Sequence, residues 1–280
     1  MNFPKAQIDI HEGLVRELVD SQFPEFSDYS IRFLSEGYDN SNYKLGNSYL
    51  IRLPRRKLGA ELIKHEIEWL PKLGYKLPIQ IPSPKKVGAP TNAYPWSWTI
   101  VPFFDGHSAL EKSLDEPEIK RFVQFLKKLH HINPEGVPEN PYRNVPLSEK
   151  SKSVARKNEH LESGSMEIKN LWEQTILEPI DCKPSLIHGD LHPDNIIINN
   201  GKIEAVIDWG DITKGDPATD LASLWMLIED PGIRDIAFEK YGASDSTILR
   251  SKGWAIFYGI NFLTIPKYKA LGNRILTTLT

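Results

Sequence analysis

Three oxygen-bearing side chains in this 280-residue chain stand at spacings that suit chemistry on phosphate: Asp190, Asn195 and Asp208. His188-Gly189-Asp190 is followed, after four residues, by Asn195, and Asp208-Trp209-Gly210 comes later. Magnesium takes hard oxygen ligands, usually one or two carboxylates plus phosphate oxygens. A hydroxyl nucleophile needs an acceptor for its proton, and a carboxylate can serve. Phosphoryl transfer asks mainly for positioning and charge neutralisation, so few protein groups are needed. The spacing is that of the kinase catalytic loop H-R-D-x-x-x-x-N and its later D-F-G, with Gly189 for the arginine and Trp209 for the phenylalanine. Between the two motifs, Ile196–Ile198 and Ile203–Ile207 read as strands joined at Asn199-Asn200-Gly201. Such a hairpin puts Asn195 and Asp208 at the open ends of adjacent strands, able to face one metal ion.

A lone loop aspartate is more often a turn or cap residue than a catalyst, so the combination carries the reading. Three rivals were weighed. The alternation of His188, Asp190, His192 and Asp194 imitates a metallohydrolase cluster, but histidines 11, 65, 107, 130, 131 and 160 form no matching set. A protein kinase would need an activation loop, and only eleven residues separate Asp208 from Asp220, with no A-P-E segment. A non-catalytic binder is disfavoured because all three central groups are present.

His188-Gly-Asp-Leu-His-Pro-Asp-Asn195, then Ile-Asp208-Trp-Gly, then Gly215-Asp-Pro-Ala-Thr-Asp-Leu-Ala222 resembles the aminoglycoside phosphotransferase family, which includes macrolide kinases and has a protein-kinase-like fold. The likeness spans residues 30–265 and is most specific over 186–222. It implies Asp190 as catalytic base, Asn195 and Asp208 as Mg²⁺ ligands, and His188 and Asp220 as supports of the loop. It implies ATP or GTP as donor and a small-molecule hydroxyl as acceptor. An aminoglycoside-type antibiotic is the first candidate; a macrolide, or a metabolite such as an amino alcohol or sugar, is the alternative. It further implies that Ser35, Gly37, Asn40 and Ser41 belong to a phosphate-covering loop, and that Arg52 replaces the usual strand lysine. Glu66 is then the candidate ion-pair partner of Arg52, with Glu61 and Glu68 as open rivals. Ile100, Val101 and Phe103 would contact the base.

The elements that must hold these groups follow from periodicity. Residues 8–20 and 59–73 have helical spacing, with Leu62, Ile67, Trp69 and Leu70 as the apolar set of the second. Strands are expected at 31–34, 42–45, 48–53 and 98–101, followed by a connector at 103–106. Further on, helices are expected near 119–129, 148–162 and 166–178, a proline-rich loop at 133–146, and mostly helix from 217. Strands first and helices later argue an α+β, bilobal protein-kinase-like architecture with a strand-rich lobe over 1–104 and a mostly helical lobe over 105–280. Lobes meeting at a connector make a cleft suited to a ligand.

The remaining residues have simpler readings. Asp216 caps the helix that starts near Pro217, Trp209 packs, and Arg55-Arg56-Lys57 is a solvated turn. From residue 105 on there are 21 basic and 26 acidic residues, so Asp194, Glu229 and Asp230 are candidate acceptor contacts. The tail is different: no acid follows Asp245, and Trp254, Phe257, Tyr258, Phe262 and Tyr268 crowd it, which leaves room for a more apolar acceptor. A net charge of -3 gives no basic excess for nucleic acid. One cysteine, Cys182, suits a reducing compartment. No apolar run reaches the roughly 20 residues of a spanning helix. The expectation is a cytoplasmic monomer with neither nucleic-acid nor membrane partners.

Overall fold

Every second residue of Asn40–Leu45 is buried (Ser41, Tyr43 and Leu45). This period-two pattern marks an inner strand of an antiparallel sheet in the computed structural model, which describes residues 4–110, 114–157 and 165–280. The chain divides into two units, one running to Lys76 and resuming over Gln80–Asp105, the other made of Leu77–Ile79 and Gly106–Thr280.

The first unit contains α1 (Glu12–Gln22), β1 (Ile31–Glu36), β2 (Asn40–Leu45), β3 (Tyr49–Pro54), α2 (Lys57–Leu73), β4 (Lys86–Gly88) and β5 (Trp98–Pro102). The sheet order is β1-β2-β3-β5-β4, with every neighbouring pair antiparallel. Helix α1 starts at Glu12, four residues later than the periodicity suggested, behind the N-cap His11, whose Nδ1 accepts the Leu14 N–H. Its buried face, Leu14, Val15, Leu18 and Val19, joins Tyr43, Leu45, Ile51, Leu53, Trp98 and Ile100 in one core. Full burial of an aliphatic or aromatic side chain contributes about 1.5–3 kcal/mol. Strand β4 escaped the sequence reading because prolines surround it. Gly88 allows it to lie against β5, since a β carbon there would fall 1.9 Å from the Trp98 ring.

The second unit holds β6 (His107–Ser108), α3 (Glu116–His130), α4 (Ser151–Lys157), α5 (Ser165–Leu177), β7 (Ser185–Ile187), β8 (Ile196–Asn199), β9 (Lys202–Val206), β10 (Thr213–Gly215), α6 (Ala218–Leu227), α7 (Pro231–Tyr241), α8 (Asp245–Leu263) and α9 (Lys269–Leu279). The helix expected over 148–162 is described only as α4, and its last residues lie outside the described ones. The hairpin of β8 and β9 forms as its turn residues indicated, with φ of 50° at Asn200 and 78° at Gly201. Beside it β6 pairs with β8, and β10 forms a separate antiparallel ribbon with β7. All ten residues of α6 are buried, which makes that helix the axis of the unit, flanked by α8.

Candidate active site

Strand β7 delivers the chain to His188, where the backbone turns sharply. Gly189 has φ +86°, and a β carbon on it would lie 2.6 Å from the Asp211 carbonyl oxygen. This explains glycine where the kinase pattern has arginine: no side chain fits. The turn is held from below by Asp220 on the first turn of α6. Its Oδ2 accepts the His188 N–H at 2.7 Å and its Oδ1 the Gly189 N–H at 2.9 Å. His130 Nε2 stands 3.2 Å from the same carboxylate, and the Tyr241 hydroxyl meets His130 Nδ1 at 2.8 Å. His188 itself is fully buried. Its Nε2 donates to the Ile207 carbonyl at 3.0 Å and its Nδ1 accepts the Asp190 N–H at 3.3 Å. The ring packs at a tilt against Trp209, centroids 4.6 Å apart, and the Trp209 Nε1–H bonds the Val206 carbonyl.

Asp190 emerges from this turn with a side chain still a quarter exposed. Arg143 grips it: Nη2 donates to Asp190 Oδ1 at 2.6 Å and to Asp211 Oδ2 at 2.9 Å, and Nε donates to Asp211 Oδ2 at 3.1 Å. Asn140 Nδ2 donates to Asp211 Oδ1 at 2.7 Å, and the Tyr258 hydroxyl donates to the Gly189 carbonyl at 2.9 Å. Burial alone would raise the Asp190 carboxyl, but Arg143, then His192, outweighs it and holds that carboxyl well below the usual carboxylate range. Arg143 is the site residue that sequence reasoning missed. It lies in the proline-rich loop before α4, and only the tertiary fold brings it to Asp190.

Asn195 follows in the same loop. Its Nδ2 donates to the Asp190 carbonyl at 2.9 Å, and its own carbonyl accepts the Ile207 N–H at 2.9 Å. With Ile196 opposite Val206 in the β8–β9 register, Asn195 and Asp208 flank the open end of one hairpin. Asp208 has φ +62°. A non-glycine residue in that left-handed region costs on the order of 1 kcal/mol or more, and such strain concentrates at functional sites. An amide oxygen and a carboxylate are the hard donors magnesium accepts, with phosphate oxygens completing the shell. Among the described residues no three His, Cys, Asp or Glu side chains gather to hold a metal by themselves. The alternating His and Asp residues of the loop have separate tasks, as the bonds of His188, Asp190 and Asp194 show.

The acids expected to meet the acceptor are engaged inside the protein. Asp194 Oδ2 accepts from Lys267 and from the Tyr268 hydroxyl, each at 2.6 Å. Burial would raise its carboxyl, but the Lys267 bond first among the others holds it low. Glu229 pairs with Arg274, and Asp230 caps α7 through the Ile233 N–H. His192 packs against the rings of Phe262 and Tyr268, and its Nε2 lies 3.6 Å from Asp190 Oδ2. Asp216 caps α6 through the Ala218 N–H and also receives Arg250 Nε at 2.7 Å.

In the first unit, Arg52 and Glu66 form a buried ion pair, while Glu61 and Glu68 pair with Lys64 and Lys72 on the exposed face of α2. The β1–β2 turn is tight: the Gly37 N–H bonds the Asn40 carbonyl at 2.8 Å, Ser35 Oγ accepts from Asn42 Nδ2, and Ser41 is buried. Arg55 and Arg56 are not the solvated turn that was expected. Arg55 is buried, bonded to Glu36 and to the Gly37 carbonyl, and Arg56 pairs with Asp39 at 2.6 Å, so both brace that turn. Ile100 and Val101 are both buried, Ile100 in the core of the first unit, and the Phe103 N–H bonds the Ser48 carbonyl at 2.8 Å.

One consequence is measurable. Arg143→Ala should lower kcat about ten-fold and raise the pKa of Asp190, because burial is then opposed only by His192 and His188. The acid limb of the pH–rate profile should move upward. A limb at the same pH in wild type and variant would remove Arg143 from this role.

Comparison with known proteins agrees with this geometry. The chain is 29% identical over 157 residues to an aminoglycoside 3'-phosphotransferase of Escherichia coli, an alignment that takes in 51% of this chain and 57% of that one. It thus spans little more than half the length of the curated relatives it matches. Among solved structures, the GDP complex of wild-type aminoglycoside 2'-phosphotransferase-IIIa superposes with a TM-score of 0.71 at 19% identity, covering 96% of this chain and 98% of that one. The apoenzyme of macrolide 2'-phosphotransferase MphH from Brachybacterium faecium gives 0.66 at 16% identity, covering 96% and 97%. These likenesses carry the α+β kinase-like fold. The model of the phosphotransferase enzyme family matches residues 30–254, most of the sequence, and the chain belongs to that family.

Proposed function

We propose that the protein transfers the terminal phosphoryl group of ATP or GTP to a hydroxyl of a small molecule. The observation that carries the reading is the loop in which Asp190, kept ionised by Arg143, is tied through Asn195 to the hairpin end that bears Asp208. Asp190 orients the acceptor hydroxyl and takes its proton as the bond to phosphorus forms. Phosphoryl transfer passes through a loose transition state, so a carboxylate of low basicity suffices when it fixes the line of attack. Asn195 Oδ1 and the Asp208 carboxylate would hold Mg²⁺, which, when bound, neutralises charge on the phosphates. Arg52, held by Glu66, would supply positive charge to the phosphates, and the turn bearing Ser35, Gly37, Asn40 and Ser41 would cover them. Ile100, Val101 and Phe103 are the candidate contacts of the base. His188 and Asp220 hold the loop.

A reducing cytoplasm suits the single Cys182, and a monomer needs no further subunit to complete these groups. The comparisons make an antibiotic the first acceptor to try, an aminoglycoside or a macrolide. The test is a nucleotide-consumption assay across such compounds and simple alcohols, joined to nucleotide titrations with and without Mg²⁺. Wild type should consume nucleotide and bind it about ten-fold or more tightly with Mg²⁺, and Asp208→Ala should lose both the turnover and the Mg²⁺ dependence. Equal affinity with and without the ion in wild type would end the assignment of Asp208.

A further inference from the structure

The acceptor's charge can be read from how the side chains beside Asp190 are paired. Asp190 and Asp211 share Arg143, and Asp211 also takes Asn140. Asp194 is met by Lys267 and Tyr268. An ammonium group entering here would have to compete with bonds of 2.6–2.9 Å already made to these carboxylates. The cations are less evenly matched. One face of α8 carries Trp254, Phe257, Tyr258 and Asn261, at spacings that place them side by side. Arg143 Nη1 donates to the Tyr258 hydroxyl at 3.2 Å. Lys150 Nζ donates to the Tyr142 carbonyl, next in sequence to Arg143, at 2.6 Å, and sits 5.6 Å from the centre of the Phe257 ring. Lys157 Nζ donates to Asn261 Oδ1 at 2.5 Å. Neither lysine has an ion pair among the described residues. The charges nearest Lys150 are Arg143, Asp211 and the exposed Glu149.

On the reading that this chain is a phosphotransferase, we infer that its acceptor carries an acidic group near the hydroxyl, recognised by Lys150 and Lys157 along the Arg143 edge of α8. Arg143 keeps Asp190 ionised, and the two lysines supply positive charge that no ion pair among the described residues takes up. Partial burial, then the nearby Arg143, depresses the ammonium pKa of Lys150. Such a cation gains from an incoming anion, which relieves both effects. The half-buried ring of Phe257, backed by the buried Trp254, gives the acceptor carbon skeleton an apolar contact.

The test is calorimetric binding to the full chain of glycerol 3-phosphate, glycerate, glycerol and kanamycin. The two anions separate a phosphate from a carboxylate as the preferred acid. At least one should bind about ten-fold or more tightly than glycerol, which is one charge-pair's worth of selectivity. Kanamycin should bind less tightly than that anion. Lys150→Glu should abolish the preference and Lys150→Gln should reduce it, read as the ratio of anion to glycerol affinity so that any loss of folded protein cancels. Kanamycin binding tightest, no anion exceeding glycerol, or an unchanged ratio in both Lys150→Glu and Lys150→Glu/Lys157→Glu would overturn the inference. Nucleotide hydrolysis to water in the same samples reports on phosphotransfer separately. Turnover sensitive to Asp208→Ala leaves that reading standing whatever the binding order.

Discussion

Asp190→Ala is expected to lower kcat by about 10²–10⁴ while nucleotide affinity stays within about three-fold. That range corresponds to about 2.7–5.5 kcal/mol of transition-state stabilisation. Two losses combine in it: the acceptor hydroxyl loses the group that aligns it, and it loses the group that takes its proton. Asp190→Asn separates the two. An amide keeps the shape and can still accept a hydrogen bond from the acceptor, but it takes no proton. If alignment dominates, the asparagine variant recovers much of the rate; if proton acceptance dominates, it is as slow as alanine. The nucleotide should be indifferent to either change, because the proposed role of Asp190 is toward the acceptor and not the phosphates. A steady-state rate equal to wild type in the alanine variant would take Asp190 out of the chemistry.

The parts of this site that could be read in the sequence are those contiguous along the chain. Asp190, Asn195 and Asp208 lie within one loop and one hairpin, so local spacing fixes their mutual placement, and the Asn200-Gly201 turn makes the hairpin nearly obligatory. The strand-then-helix order needed only the change of period. Arg143 was not readable, because it reaches Asp190 from a loop 47 residues upstream and no local rule joins them. Its only trace is an arginine beside Asn140 in a segment that Pro138, Pro141 and Pro146 hold non-helical.

The α2 face was read half right, and the reason is physical. Of the apolar set chosen from spacing, Trp69 and Leu70 are buried while Leu62 and Ile67 are half-buried, and the helix also buries Ile63, Glu66 and Leu73. A glutamate on a buried stripe is costly unless it is paired, and Arg52 is the partner that allows it there. The same pairing chooses Glu66 over Glu61 and Glu68, which have exposed lysines of their own. Strands β4, β6 and β10 span two or three residues each, too few for a period to register. The candidate acceptor acids show what composition leaves out: Asp194 and Glu229 are paired with Lys267 and Arg274, and Asp230 caps α7.

Asp220→Ala should cost the fold about 3–5 kcal/mol, a large part of the 5–15 kcal/mol by which domains are stable. Asp220 is fully buried, yet its two oxygens accept successive backbone N–H groups of the loop and face His130. Alanine orphans those donors, and each unsatisfied buried group costs about 1–3 kcal/mol. Burial opposes the charged form of Asp220, but the His130 bond, its charge and the Gly189 N–H outweigh burial, so the folded carboxyl lies below its ordinary value. A depressed pKa contributes stability that is full above the unfolded value of ~3.9 and is lost as pH falls through the folded pKa. The wild-type denaturation midpoint should therefore fall in acid below about pH 4, and the alanine variant should start lower at neutral pH and show less of that decline. Asp220→Asn should lie between them, since its oxygen can keep one N–H while its NH₂ group opposes the other. The same substitution should slow turnover of the molecules that remain folded, because Gly189 at φ +86° is held in place by this carboxylate and Asp190 is the next residue. A denaturation midpoint equal to wild type in the alanine variant would mean that the loop is held by other bonds, and Asp220 would lose its place beneath the active site.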